Sequence, residues 1–117
     1  MPTIDMFRNS TDTQNFSSGE VIFHQGDTGK VMYAIQDGTV EIRMGEKLIQ
    51  SLGPGEIFGE MAIVDNQPHS ATAVAATDCR VVPIDERRFL FLVQQTPYFA
   101  ILVMRVMVDR IRRLMTV

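Results

Sequence analysis

The chain has one cysteine, Cys79, and only two histidines, His24 and His69. A single thiol cannot form an internal disulfide, and these three side chains are too few for a Cys/His zinc cluster. The fold must therefore rest on its own core. No apolar run comes near the roughly 18 residues that a membrane span needs. Met1–Ser10 has neither the basic nor the apolar stretch of a signal peptide, so a reducing, cytoplasmic setting is expected. A basic excess is also missing. The formal net charge is −3, which excludes a strongly basic nucleic-acid binder. No catalytic constellation stands out, because neither histidine has a paired nucleophile. Cys79 follows Asp78 and reads as an inert core thiol. An enzyme is therefore not expected.

What is present is enough for a packed domain. The 117 residues are 45% hydrophobic and 21% charged, which argues for one globular unit over residues 1–117 and against disorder. The charge is unevenly spread. Residues 1–84 carry five basic and eleven acidic side chains. Residues 85–117 carry six basic and three acidic, and all six are arginine: Arg87, Arg88, Arg105, Arg110, Arg112 and Arg113. These arginines read either as a solvated helix face or as a contact surface for an acidic protein partner.

The hydrophobic period changes once. Up to about Ile84, short strand-like segments are separated by glycine turns. Val31, Tyr33 and Ile35 alternate with Met32, Ala34 and Gln36, and Val40, Ile42 and Met44 alternate with Glu41, Arg43 and Gly45. Asp37-Gly38 predicts a two-residue hairpin, and Gly45-Glu46 a second one leading into Lys47–Leu52. Ala71–Ala76 and Arg80–Ile84 read as two more strands. Strands at this spacing predict a sandwich or jelly roll over about residues 16–84.

Two helices are expected over about residues 85–116. Asp85 is a good N-cap for Glu86–Gln94. Thr96 then caps a helix with Pro97 at its first position, where a missing N–H costs nothing. That helix can run to about Met115. Ile101, Met104, Val108, Ile111 and Met115 form a heptad seam on it, and Leu102, Val103, Val106, Met107 and Leu114 add further apolar surface. One stripe can cover the β-structure while the other is left for a partner. A homodimer through residues 97–115 is the expectation.

The stretch from Gly53 to Ala76 is the most unusual. Phe58-Gly59-Glu60-Met61-Ala62 reads as a helical turn begun at a glycine, whose N–H groups can face an anion. Glu60 beside them is odd for a plain phosphate site. A ligand carrying both an anion and a hydroxyl reconciles the two; a simple capped turn is the alternative.

These segments together resemble the cyclic nucleotide-binding domains of the catabolite activator protein and of protein kinase A regulatory subunits. The likeness runs from about Ser18 to the C-terminus. It is carried by Glu20-Val21-Ile22-Phe23, Gly26-Asp27, Met32-Tyr33-Ala34-Ile35 and Gly38-Thr39-Val40, and by Phe58-Gly59-Glu60-Met61-Ala62 with Pro68-His69-Ser70-Ala71. The resemblance implies a mainly β fold: a jelly-roll (double-stranded β-helix) barrel with a short N-terminal helix at residues 3–10, a cassette helix and two C-terminal helices. It also implies a cyclic AMP or cyclic GMP ligand, no cofactor and no metal. By the same resemblance, Phe58 belongs to the ligand-binding cassette, and Gly59 and the N–H groups of Met61 and Ala62 face the cyclic phosphate. Glu60 accepts from the ribose 2′-hydroxyl, Ser70 and Ala71 complete the cassette, and Ile42 and Ile49 line the pocket. The last helix closes over the base.

Two positions depart from the pattern. His69 stands where cyclic-nucleotide binders place an arginine. Arginine is always charged and offers two parallel donors, whereas histidine of ordinary pKa is only about a quarter protonated at pH 7. Arg110 is the residue expected to compensate, with Glu60 as a natural ion-pair partner. Between Tyr98 and Met115 there is no Ser, Thr, Asn or Gln to read a base edge; Thr116 is the nearest hydroxyl. No helix-turn-helix follows Val117, so no DNA-binding domain and no nucleic-acid partner are expected. Besides a cyclic-nucleotide sensor, three readings stay open: a degenerate dimerisation or protein-interaction module, a sensor of another small anion, and a haem sensor using His69, His24 or Cys79.

Overall fold

The computed structural model describes residues 3–115. It contains eight strands: β1 (Gln14–Phe16), β2 (Val21–Phe23), β3 (Val31–Asp37), β4 (Val40–Met44), β5 (Lys47–Leu52), β6 (Ile57–Phe58), β7 (Thr72–Ala75) and β8 (Cys79–Asp85). Three α-helices accompany them: α1 (Glu60–Val64), α2 (Glu86–Gln95) and α3 (Tyr98–Met115). The strands form two four-stranded antiparallel sheets, ordered β1-β8-β3-β6 and β2-β7-β4-β5. This is the jelly-roll arrangement. The helix expected at residues 3–10 is only a single 3-10 turn, Asp5–Phe7.

Strand alternation separates two cores. On β3 and β8, Met32, Ala34, Val82 and Ile84 face the helices and pack with Ile4, Phe7, Phe99, Val103 and Val106. Ile35, Val81 and Cys79 point the other way, into the space between the sheets, with Val40, Leu52, Phe58, Ala73 and Ala75. β3 and β8, the central strands of the first sheet, are covered on both faces and so read as nearly continuous apolar runs.

The turns divide into one success and one correction. Gly45-Glu46 joins β4 to β5 as a tight hairpin, with Met44 opposite Lys47 and Gly45 at φ +61°. Asp37-Gly38 does not make a hairpin. β3 and β4 belong to different sheets, and Gly38 turns the chain from one to the other. It does so at φ +89°, against the backbone of Asp78.

The helix ends follow local chemistry. Asp85 caps α2 by accepting from the Arg88 N–H at 2.7 Å. After Gln95 the chain bends sharply, and Phe99 N–H bonds to the Thr96 carbonyl as α3 begins. Phe99 then packs edge-on against Phe7 and Phe89, with centroids 5.9 and 5.5 Å away. On α3 the apolar residues fall on two faces, with Leu114 of the non-seam stripe 75% exposed. Phe99, Val103 and Val106 are buried against the first sheet. Ile101, Met104, Val108, Ile111 and Met115 point outward, 40–75% exposed.

Candidate functional site

The two sheets, α1 and the C-terminal part of α3 enclose a cavity of about 350 Å³. It is lined by Phe58, Gly59, Glu60, Met61, Ala62, His69, Ser70, Ala71, Ile42, Ile49 and Arg110, so every site residue expected from the sequence borders one space. Phe23, Met44, Gln50, Arg113 and Leu114 border it too and were missed. Arg113 and Leu114 lie one helical turn beyond Arg110 and could have been found from it. Met44 follows Ile42 on the same strand face. Gln50 was hidden by an irregularity: Ile42 pairs with Gln50 but Arg43 with Leu48, so Ile49 is an extra residue that breaks the alternation. Nothing local marks Phe23.

The cassette is built on a glycine. Gly59 precedes α1 at φ +79°, a conformation that side-chained residues rarely adopt. A Cβ there would lie 3.3 Å from the Val31 carbonyl oxygen and 3.4 Å from both His69 Cε1 and the Phe23 ring. The Ala62 N–H, expected to face a phosphate, already bonds to the Gly59 carbonyl at 3.2 Å.

Glu60, at the first position of α1, is 1% exposed. Its Oε1 is paired with Nη1 of Arg110, whose Nη2 donates to the Ile57 carbonyl. Glu60 Oε2 and Arg110 Nε have no hydrogen-bond partner among the described residues. The predicted ion pair is therefore present. Arg110 is thereby held by Glu60 and the Ile57 carbonyl while it borders the cavity.

His69 takes an unforeseen position. Its ring lies flat on Phe23, with centroids 3.6 Å apart and planes 11° apart. Phe23 in turn packs on Tyr33 and Phe58. The backbone on either side is clamped to the β2–β3 turn: His69 N–H donates to the Asp27 carbonyl at 3.0 Å, and Gly26 N–H to the His69 carbonyl at 2.8 Å. Asp27 also closes its own turn by accepting from the His24 N–H at 2.9 Å. This is the structural task of Gly26-Asp27. His69 is 8% exposed. Burial lowers its pKa below the ordinary 6.5, with the Asp27 charge acting in the opposite sense.

The remaining candidates lie elsewhere. Cys79 is buried between the sheets, its Sγ within 3.1 Å of the Thr39 and Thr77 carbonyl oxygens, and burial raises its pKa. This is the core position expected of Cys79. His24 is largely exposed and sits beside Asp27 at 3.7 Å. Among the described residues no group of three His, Cys, Asp or Glu side chains could hold a metal ion. No single helix among them is long and apolar enough to cross a membrane. Thr116 lies outside the described residues.

Comparison with known proteins agrees with this fold. The sequence model of the cyclic nucleotide-binding domain matches residues 13–96. The chain belongs to the cyclic nucleotide-binding domain family. It is 40% identical to a cAMP-dependent protein kinase regulatory subunit of Eremothecium gossypii over 81 residues, covering 69% of this chain and 18% of that protein. It superposes on the catabolite activator protein of Thermus thermophilus with a TM-score of 0.80 and 31% identity, over 86% of this chain and 50% of that one. The cAMP-bound form of the EAL enzyme Bd1971 matches with a TM-score of 0.65 and 34% identity, over 88% of this chain and 29% of that one. The chain thus spans at most half the length of these three relatives.

Proposed function

We propose that this domain is a non-catalytic sensor that binds a cyclic mononucleotide in the cavity between the sheets. The observation that carries the reading is Glu60. A carboxylate that is 1% exposed keeps one oxygen without a partner among the described residues while lining a cavity. An unsatisfied buried acceptor is costly, and a sugar hydroxyl would satisfy it. In this reading Glu60 Oε2 accepts from the ribose 2′-hydroxyl, and Arg110 fixes the carboxylate in place. The turn at Phe58, Gly59, Glu60 and Met61 receives the cyclic phosphate, with Ser70 and Ala71 beside it. Ile42, Met44, Ile49 and Leu114 supply apolar surface for the base. The described part of α3 carries no Ser, Thr, Asn or Gln to read a base edge, and Gln50 of β5 is the amide that borders the cavity.

A second observation supports a homodimer. The heptad seam of α3 lies on the outer face of the helix, away from the sheets. Two copies packed along this seam would cover it, next to the Arg113 and Leu114 side of the pocket. Ligand binding beside Arg113 and Leu114 would then act on the helix that mediates assembly.

Calorimetry with cyclic AMP and cyclic GMP tests the reading. Binding of at least one is expected, with Kd between about micromolar and millimolar because a charged donor is missing at position 69. Glu60→Gln should weaken it. The absence of binding to either nucleotide at millimolar ligand, in wild type and in His69→Arg, would favour a pure dimerisation module.

A further inference from the structure

We propose that the pocket takes up a proton together with its anionic ligand, and that His69 carries it. The inference rests on the cyclic-nucleotide reading above and adds its regulation. The cationic side chains lining the cavity are Arg110 and Arg113, with His69 as the third basic group. Arg110 is held by Glu60 and the Ile57 carbonyl. Arg113 pairs through Nε with Asp109 at 3.2 Å, on the half-exposed side of α3. His69 is the basic group beside the glycine turn, with its Cε1 3.4 Å from where a Gly59 Cβ would stand.

Every charged group around His69 bears on its state. From the β2–β3 turn come Asp27 and, paired to it, the exposed His24. From α1 comes Glu60, and from α3 come Arg110 and Arg113, all facing the same cavity. The Tyr33 hydroxyl lies behind Phe23 and stays neutral, because burial raises its pKa. Glu60 and Arg110 offset each other. What remains beside the glycine turn is a stacked, nearly buried imidazole that burial keeps neutral at pH 7. A cyclic phosphodiester remains a monoanion throughout the neutral range. Placing it there without a compensating charge is costly. A proton from solvent, bound to the vacant ring nitrogen, makes His69 an imidazolium and its bond to the phosphate charge-assisted.

The sign follows from linkage. Ligand raises the His69 pKa above its value in the ligand-free chain. Affinity is greatest below the ligand-free pKa, falls as pH rises between the two values, and is level above the bound one.

The test is calorimetry of wild type with cyclic AMP and cyclic GMP at pH 6, 7 and 8, in buffers of unlike ionisation enthalpy. The expected result is net proton uptake at pH 7 and affinity at least about ten-fold greater at pH 6 than at pH 8. His69→Arg should bind tightly at both extremes with no uptake, and His69→Gln weakly at both. Should His69→Arg fail to fold, the wild-type proton count and His69→Gln still decide. Binding by wild type with equal affinity at pH 6 and 8 and no proton uptake overturns the proposal and leaves the cyclic-nucleotide reading standing. No binding by any of these chains at pH 6 overturns both.

Discussion

His69 and Phe23, 46 positions apart in sequence, lie face to face with their ring centroids 3.6 Å apart. The contact closes the cassette loop onto β2 and leaves His69 only 8% exposed. It therefore ties the stability of the ligand-free domain to pH. Burial depresses the folded-state pKa of His69 below 6.5. The unfolded chain then holds more protons, and stability rises with pH across that window. His69 contributes fully above about pH 6.5, and the contribution is lost as pH falls through its folded pKa. Urea unfolding between pH 5 and 8 should show this slope in wild type. His69→Phe keeps the ring stack and removes the proton, so its profile should be flatter; an identical slope would show that His69 does not titrate in this range.

The buried pair of Glu60 and Arg110 makes a second prediction. Arg110→Met leaves a carboxylate uncompensated at 1% exposure. A loss of about 3–5 kcal/mol is expected in chemical denaturation. Adding Glu60→Leu should restore most of it, since two apolar side chains can replace a buried ion pair at little cost. Equal, additive losses would mean that the two residues are not coupled.

Gly38 and Gly45 should respond differently to alanine. A Cβ at Gly38 would stand 2.2 Å from the Asp78 carbonyl oxygen and 2.9 Å from Cys79 Sγ. Gly45, at φ +61°, has nothing within 4 Å. Gly45→Ala should cost about 1–2 kcal/mol for the left-handed backbone alone. Gly38→Ala carries a backbone clash as well and should cost more, up to loss of folding. Thermal melts of the two variants compare them directly.

The outer face of α3 gives a prediction about assembly. Val108 and Ile111 are 46% and 51% exposed, so replacing both with Glu removes little from the protomer core. Sedimentation should show wild type as a dimer at tens of micromolar (an order-of-magnitude working range for such interfaces), and Val108→Glu/Ile111→Glu as a folded monomer. A wild type that stays monomeric under these conditions rules out the seam as an interface.

What the sequence by itself determined was local. The Asp85 cap, the Gly45-Glu46 hairpin and the turn begun at Gly59 depend on the backbone preferences of a few adjacent residues, and all three are found. The separate motifs that pointed to the family also hold, because they mark turns that must fall at set intervals. The Asp37-Gly38 hairpin failed for a matching reason. Its local signal is sound, but β3 pairs with β8 and β6 while β4 pairs with β7 and β5, and these long-range pairings outweigh a two-residue preference. Composition could show that α3 had two apolar stripes but not which one the sheet would bury. Nor could it show that Arg110 would be consumed by Glu60 and Ile57, or that Phe23 would rest on His69. Those outcomes depend on which side chains the packed sheets bring within a few ångströms across some 50 residues of chain. Close packing in three dimensions sets that distance, and no run of neighbouring residues encodes it.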